Sequence, residues 1–197
     1  MKVEFWFEFA STYSYPAALR IEALAAEKGV QVEWRPFLLG PIFQQQGLTD
    51  SPFNVFPVKG RYMWRDLERI CERMNIPLRR PSVFPRNGLL AARVACANSE
   101  AAWLPEFVRA VYWANFAEDV DISSPEVVAR CLTASGQDAP TMIEMAQSQP
   151  SKDKLKAATA EAAERGIFGA PSFVVDGELF WGNDRLEDAL SWAAKKP

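Results

Sequence analysis

Polar and aromatic residues alternate from position 3 to position 9 (VEFWFEF), the period-two pattern of a strand. The alternation breaks at FASTYSYP. There Ser14 can cap a helix, and Pro16 falls in its first turn, where a missing amide hydrogen costs nothing. Apolar positions at helical spacing run through 17–28, and Gly29 supplies a C-terminal stop. Alternation returns over 30–36 (VQVEWRP). A strand–helix–strand unit of this length predicts two parallel strands joined by a right-handed crossover.

No strand pattern appears between 37 and 170. Residues 37–58, rich in Pro, Gly, Gln and Phe, read as an ordered loop with room for a short helix, and 77–85 as an extended, proline-punctuated connection. Helical patterns cover 60–74, 88–99, 102–116, 124–135, 141–147 and 151–165. Strands resume in PSFVVDGELFW (171–181), a hairpin turning on Asp176-Gly177, which tolerate the positive φ angles of a tight turn. Asp184-x-x-Glu187 reads as a capping box opening a last helix over 185–195. The fold class is therefore α/β: a thioredoxin-like fold with a large all-helical insertion after the second strand. Residues 1–38 and 151–197 form the thioredoxin-like part, and 39–150 the inserted helical domain.

Composition narrows the chemistry. The chain has no histidine, which removes Ser-His-Asp and Cys-His catalysis and His-containing zinc sites. Cys71, Cys96 and Cys131 are scattered and predict reduced core thiols rather than a disulfide framework. Twenty-two basic residues against 25 acidic ones, with no basic block, argue against a nucleic-acid partner. No run approaches the roughly 18 apolar residues of a membrane span. The opening MKVEFWFEFA carries Glu4 and Glu8 in its apolar run and reads as a strand rather than an export signal, so a cytoplasmic location is the default.

In a thioredoxin-like layout the loop after the first strand lies at a helix N-terminus, among unpaired backbone N–H groups and the positive end of the helix dipole. A Cys-x-x-Cys there exchanges disulfides. Ser11 and Ser14 hold that spacing here and cannot. A hydroxyl at this place can instead donate a hydrogen bond to a thiolate brought in by a cofactor. Taken alone, Ser11 equally suits a plain turn residue, and Ser14 a helix cap. Gly169-Ala170-Pro171-Ser172 fits the segment that faces the loop, where this layout places a cis-proline before the third strand.

The stretches FEFASTYSY, FPVKGRYMWRDLERIC and GIFGAPSFVVDGELFWGNDRLEDAL span nearly the whole chain. They resemble the 2-hydroxychromene-2-carboxylate isomerases, close relatives of kappa-class glutathione transferases within the DsbA-type thioredoxin superfamily. Thr12 departs from the proline usual in that motif. The resemblance implies glutathione as cofactor, with Ser11 hydrogen-bonding its sulfur. A hydrogen bond to a charged group contributes about 1.5–3 kcal/mol and a helix end about 0.3–1 kcal/mol, enough to make a thiol of ordinary pKa about 8.5 mostly thiolate at neutral pH. It also implies cis–trans isomerisation of an aromatic keto acid in naphthalene-type degradation, and a homodimer. Ala170 would pair through its backbone with the cysteinyl part of glutathione, and Pro171 would shape that backbone. Asn183, Asp184 and Arg185 would surround the γ-glutamyl end, with Asp184 also suited to cap the last helix. Lys59 would contact glutathione or the acidic substrate, and either Asn54 or Asp50 would assist. Tyr13 and Tyr15 could line the pocket or simply pack, and one or two of the seven tryptophans could stack on an aromatic substrate. Two other functions share this framework: a kappa-like glutathione transferase with another electrophile, and a non-catalytic thioredoxin-like binding module.

Overall fold

The computed structural model describes residues 1–195. Strand β1 (Lys2–Phe7) leads through helix α1 (Ser14–Glu27) to β2 (Gln31–Pro36), parallel to β1 with Phe5 opposite Trp34. Strands β3 (Ser172–Val175) and β4 (Glu178–Trp181) form the predicted hairpin. Its turn residues Asp176 and Gly177 have φ of 49° and 85°, the positive values that pair of residues tolerates. The sheet order is β2-β1-β3-β4, and β3 runs antiparallel to β1 with Phe173 opposite Phe5. The sheet is therefore mixed, with the chain's first strand inside it and flanked on both sides.

Eight helices lie between β2 and β3: α2 (Leu39–Gln45), α3 (Pro52–Val55), α4 (Pro57–Arg73), α5 (Leu89–Ala97), α6 (Leu104–Phe116), α7 (Pro125–Ala134), α8 (Ala139–Gln147) and α9 (Gln149–Glu164). Several begin earlier than periodicity suggests. In α8 and α9 the side chains of Asp138 and Ser148 accept from the amides of Thr141 and Ser151, and Pro140 and Pro150 sit in the first turn. A capping oxygen followed by an early proline marks a helix start more sharply than the first apolar residue does. A 3-10 turn (Asn183–Arg185) then leads into α10 (Leu186–Ala194). The capping box expected at Asp184-x-x-Glu187 does not form. The residue before α10 is Arg185, with no side-chain cap, and Asp184 pairs with Arg185 at 3.1 Å.

The core is continuous from sheet to helices. Phe5 and Phe7 are fully buried, and Phe5 stacks on Phe173 and meets the edge of Trp34. The same cluster takes in Met63, Leu67, Ala91, Val111 and Leu132 from the helical block. Trp6 points to the other face of the sheet, against Phe37, Ile42, Ala162 and Ile167. Truncating such a buried aromatic costs about 3–5 kcal/mol. Among the described residues no helix is long and apolar enough to cross a membrane.

Candidate functional site

Strand β1 ends at Phe7 because the next residues fold into a turn. The Glu8 carbonyl accepts from the Ser11 amide (3.0 Å), and its Oε2 accepts from the Ala10 amide (3.0 Å). Helix α6 pins this turn from beneath. Tyr112 donates to the Glu8 carbonyl (2.8 Å) and Asn115 Nδ2 to the Phe9 carbonyl (3.1 Å). Asn115 is itself held by the buried guanidinium of Arg86, which also pairs with Asp119 and donates to the Val120 carbonyl.

Ser11 emerges from this turn with its hydroxyl donating to the Ala170 carbonyl at 2.8 Å. Ala170 precedes Pro171 through a cis peptide bond, as the layout predicts. The Ser11 oxygen also accepts from the Ser14 amide (3.4 Å), the first amide of α1; the cap position itself is Tyr13, with no side-chain cap, so Ser14 does not cap the helix. Ser14 is wholly buried and, among the described residues, its hydroxyl has no hydrogen-bond partner.

These two loops form the floor of a cavity of about 780 Å³. Its walls are largely apolar: Leu38, Phe43, Phe53, Phe84, Phe168 and Trp181. Phe168 and Trp181 pack ring to ring, 4.8 Å between centroids, beside Gly169. A Cβ on Gly169 would come within 2.5 Å of the Trp181 indole nitrogen, so any larger residue would push that ring off the cis-proline loop. Polar groups are few. Lys59 stands at the rim, 4.7 Å above the Phe56 ring. Asp50 also lines the cavity, and Tyr13 donates to Asp66 at 2.9 Å. Burial, then that hydrogen bond to Asp66, holds the Tyr13 phenol well above its ordinary pKa. Burial likewise raises Glu8 to about 7. None of the three cysteines lines the cavity; all are buried, which pushes Cys71 and Cys131 up to about 11.

The structure thus places Ser11, Lys59 and Ala170 on the lining of one cavity. Pro171 lies behind it, its carbonyl accepting from the Gly182 amide (2.9 Å). Asn54 stands outside the lining and donates to Asp50 (2.9 Å) and to the Phe84 carbonyl (3.2 Å), so Asp50 is the residue that faces in. Asn183, Asp184 and Arg185 follow the wall residue Gly182. Asn183 Oδ1 accepts from Arg20 (3.0 Å), and Arg185 is shared between Asp184 and Asp188. Tyr13 lines the cavity, whereas Tyr15 is core, donating to the Pro77 carbonyl (2.6 Å).

This floor is the one the Ser-x-x-Ser spacing predicts on a thioredoxin-like sheet. The family described as the DSBA-like thioredoxin domain matches residues 2–191. The chain belongs to that family. Within it, a 2-hydroxychromene-2-carboxylate isomerase of Sphingobium xenophagum is 31% identical over 94% of each chain. The human glutathione S-transferase kappa 1 is 28% identical over 94% of this chain and 87% of its own. A solved 2-hydroxychromene-2-carboxylate isomerase superposes with a TM-score of 0.86 at 26% identity, covering 98% of this chain and 94% of that one. As a DSBA-like domain, the chain departs from thiol–disulfide chemistry at one point: hydroxyls occupy both ends of the motif.

Glu8 and Trp181 are among the wall residues that escape sequence reasoning. Glu8 reads as the polar position of an alternating strand, and Trp181 as one of several strand aromatics. The signal that could have found Trp181 is its place directly before Gly182, where the strand leaves the sheet beside the cis-proline loop.

Proposed function

We propose that this chain is a glutathione-dependent isomerase that converts 2-hydroxychromene-2-carboxylate to trans-o-hydroxybenzylidenepyruvate in aromatic-hydrocarbon catabolism. The observation that carries the reading is the Ser11 hydroxyl, 2.8 Å from the Ala170 carbonyl, on the floor of a cavity whose wall contains no cysteine. The residues present suit a thiol tripeptide. A hydroxyl donor sits at the N-terminus of the 14-residue helix α1, beside a backbone segment that a glycine keeps open. The cofactor supplies a thiol that adds reversibly across a conjugated double bond, so that the bond can rotate.

The chain's own residues do the rest. Ser11 turns its proton from Ala170 toward the sulfur. The Ala170 backbone holds the cysteinyl part and Pro171 shapes it. Lys59 attracts a carboxylate at the rim. Asn183, Asp184 and Arg185 receive the γ-glutamyl end, and Asp50, held by Asn54, assists in contacting glutathione. Phe53, Phe84, Phe168 and Trp181 exclude water around an aromatic ring.

The test is the purified protein with 2-hydroxychromene-2-carboxylate, with and without glutathione, followed by the ultraviolet spectrum of the product. Glutathione-dependent conversion is expected. The same floor would serve a glutathione transferase, as the kappa relatives bring to mind, and turnover of an aryl halide alone would select that reading instead. In the cell the enzyme is a cytoplasmic homodimer. The exposed apolar residues Phe56, Val58 and Tyr62 support a subunit contact, and light scattering of the pure protein measures it.

A further inference from the structure

Among the described residues two carboxyl groups line the cavity. Asp50 is at the rim, held by Asn54. Glu8 belongs to the same turn as Ser11, three residues ahead of it, and the roles above leave its carboxyl unused. Among the described residues that carboxyl accepts one hydrogen bond, from the Ala10 amide to Oε2 at 3.0 Å, and Oε1 has no partner. Among the described residues no lysine or arginine compensates its charge. Arg86 is committed to Asp119, Asn115 and the Val120 carbonyl, and Lys59 stands over Phe56. The other titratable neighbour is Tyr112 on α6, whose phenol is kept protonated by burial and then by the Glu8 charge.

We propose that Glu8 is the proton acceptor for the cofactor thiol. The inference rests on the glutathione reading above. The S–H bond breaks, its proton forms an O–H bond on the Glu8 carboxylate, and the electron pair stays on sulfur beside Ser11. Nothing is oxidised or reduced. The floor then carries one negative charge instead of two, because protonated Glu8 is neutral. A second uncompensated anion in this apolar space would oppose the first. Burial holds the carboxyl at about 7, close to the range in which a hydrogen-bonded thiol ionises, so the proton moves between groups of similar strength.

The test is proton counting. The full chain is titrated with glutathione by calorimetry just above neutral pH, in two buffers of different ionisation enthalpy, while ultraviolet absorbance reports the thiolate. Wild type should form thiolate with almost no proton released. Glu8→Gln keeps an acceptor for the Ala10 amide and so should fold. It should either release about one proton per thiolate formed or form thiolate only at higher pH, with kcat/KM about 10²-fold lower. Glu8→Asp should recover much of the wild-type proton count. Intact glutathione binding with the same proton count and thiolate midpoint in wild type and Glu8→Gln would overturn the role of Glu8 alone. A wild type that binds no glutathione would overturn this role together with the reading beneath it.

Discussion

At the floor of the cavity Ser11 and Thr12 are 8% and 2% exposed, whereas at the rim Lys59 stands in solvent. The floor is held by bonds from far along the chain: Tyr112 and Asn115 on α6 to the first turn, and Ser11 to Ala170. The rim is held by near neighbours, as Asn54 holds Asp50 and Phe56 supports Lys59. A group that must meet a reacting atom within a few tenths of an ångström needs the first kind of support. A surface that only selects and admits a ligand can use the second.

The contrast is sharpest at Ser11. Ser11→Ala removes the donor on the floor, and kcat/KM should fall about 10²–10³-fold. The loss of its bond to the Ser14 amide should cost only about 1 kcal/mol in urea unfolding. Unchanged turnover would remove Ser11 from the chemistry. The next largest effect separates two asparagines. Asn115→Leu strands the Phe9 carbonyl and part of Arg86, and should destabilise by about 1–3 kcal/mol. Asn54→Ala, on the exposed rim, should stay within about 0.5 kcal/mol. Equal losses in the two would break the comparison.

A third test uses pH. Glu8 binds its proton more tightly in the folded state (about 7) than its ordinary value of 4.5. The folded protein therefore takes up protons on this group, and stability should decline as pH rises from 4.5 through 7. Urea midpoints across that window should fall in wild type and flatten in Glu8→Gln. Trp181→Ala should raise the KM for an aromatic substrate by up to about tenfold, the value of one ring contact of roughly 0.5–1.5 kcal/mol, with kcat unchanged. Smallest of all, Lys59→Met should weaken an acidic ligand only a few-fold, by about 0.2–1 kcal/mol, and the difference should vanish in high salt.

The legibility of the molecule follows the same division. The floor's two chain segments were readable, because FASTYSYP and GAPS carry their own punctuation: a hydroxyl pair at a strand–helix junction, and a proline before a strand. Ser14 was misread as the cap, which lies one residue earlier at Tyr13. Ser14 looks like the last polar residue before a helical run, but the oxygen that meets the first amide belongs to Ser11. Asp184 failed for a related reason, since Arg185 beside it offers a full charge that competes with the helix amides. Glu8 and the Arg86–Asn115 support were not legible at all. Their partners lie 29 to 106 residues away, and no local pattern marks which pairs will meet.

By itself, then, the amino-acid order determined the strands, the helical block, the Asp176-Gly177 turn, the absence of histidine and the replacement of thiols by hydroxyls. Each of these depends on backbone sterics or side-chain chemistry within a few residues. Only the tertiary structure decided that Ser11 faces Ala170, that Asp50 rather than Asn54 looks inward, that Trp181 is the tryptophan in the wall, and that Glu8 lines the serine's cavity with no lysine or arginine partner among the described residues. Those are outcomes of packing between distant segments, where burial and the shared use of a few hydrogen-bond donors settle what local preference leaves open.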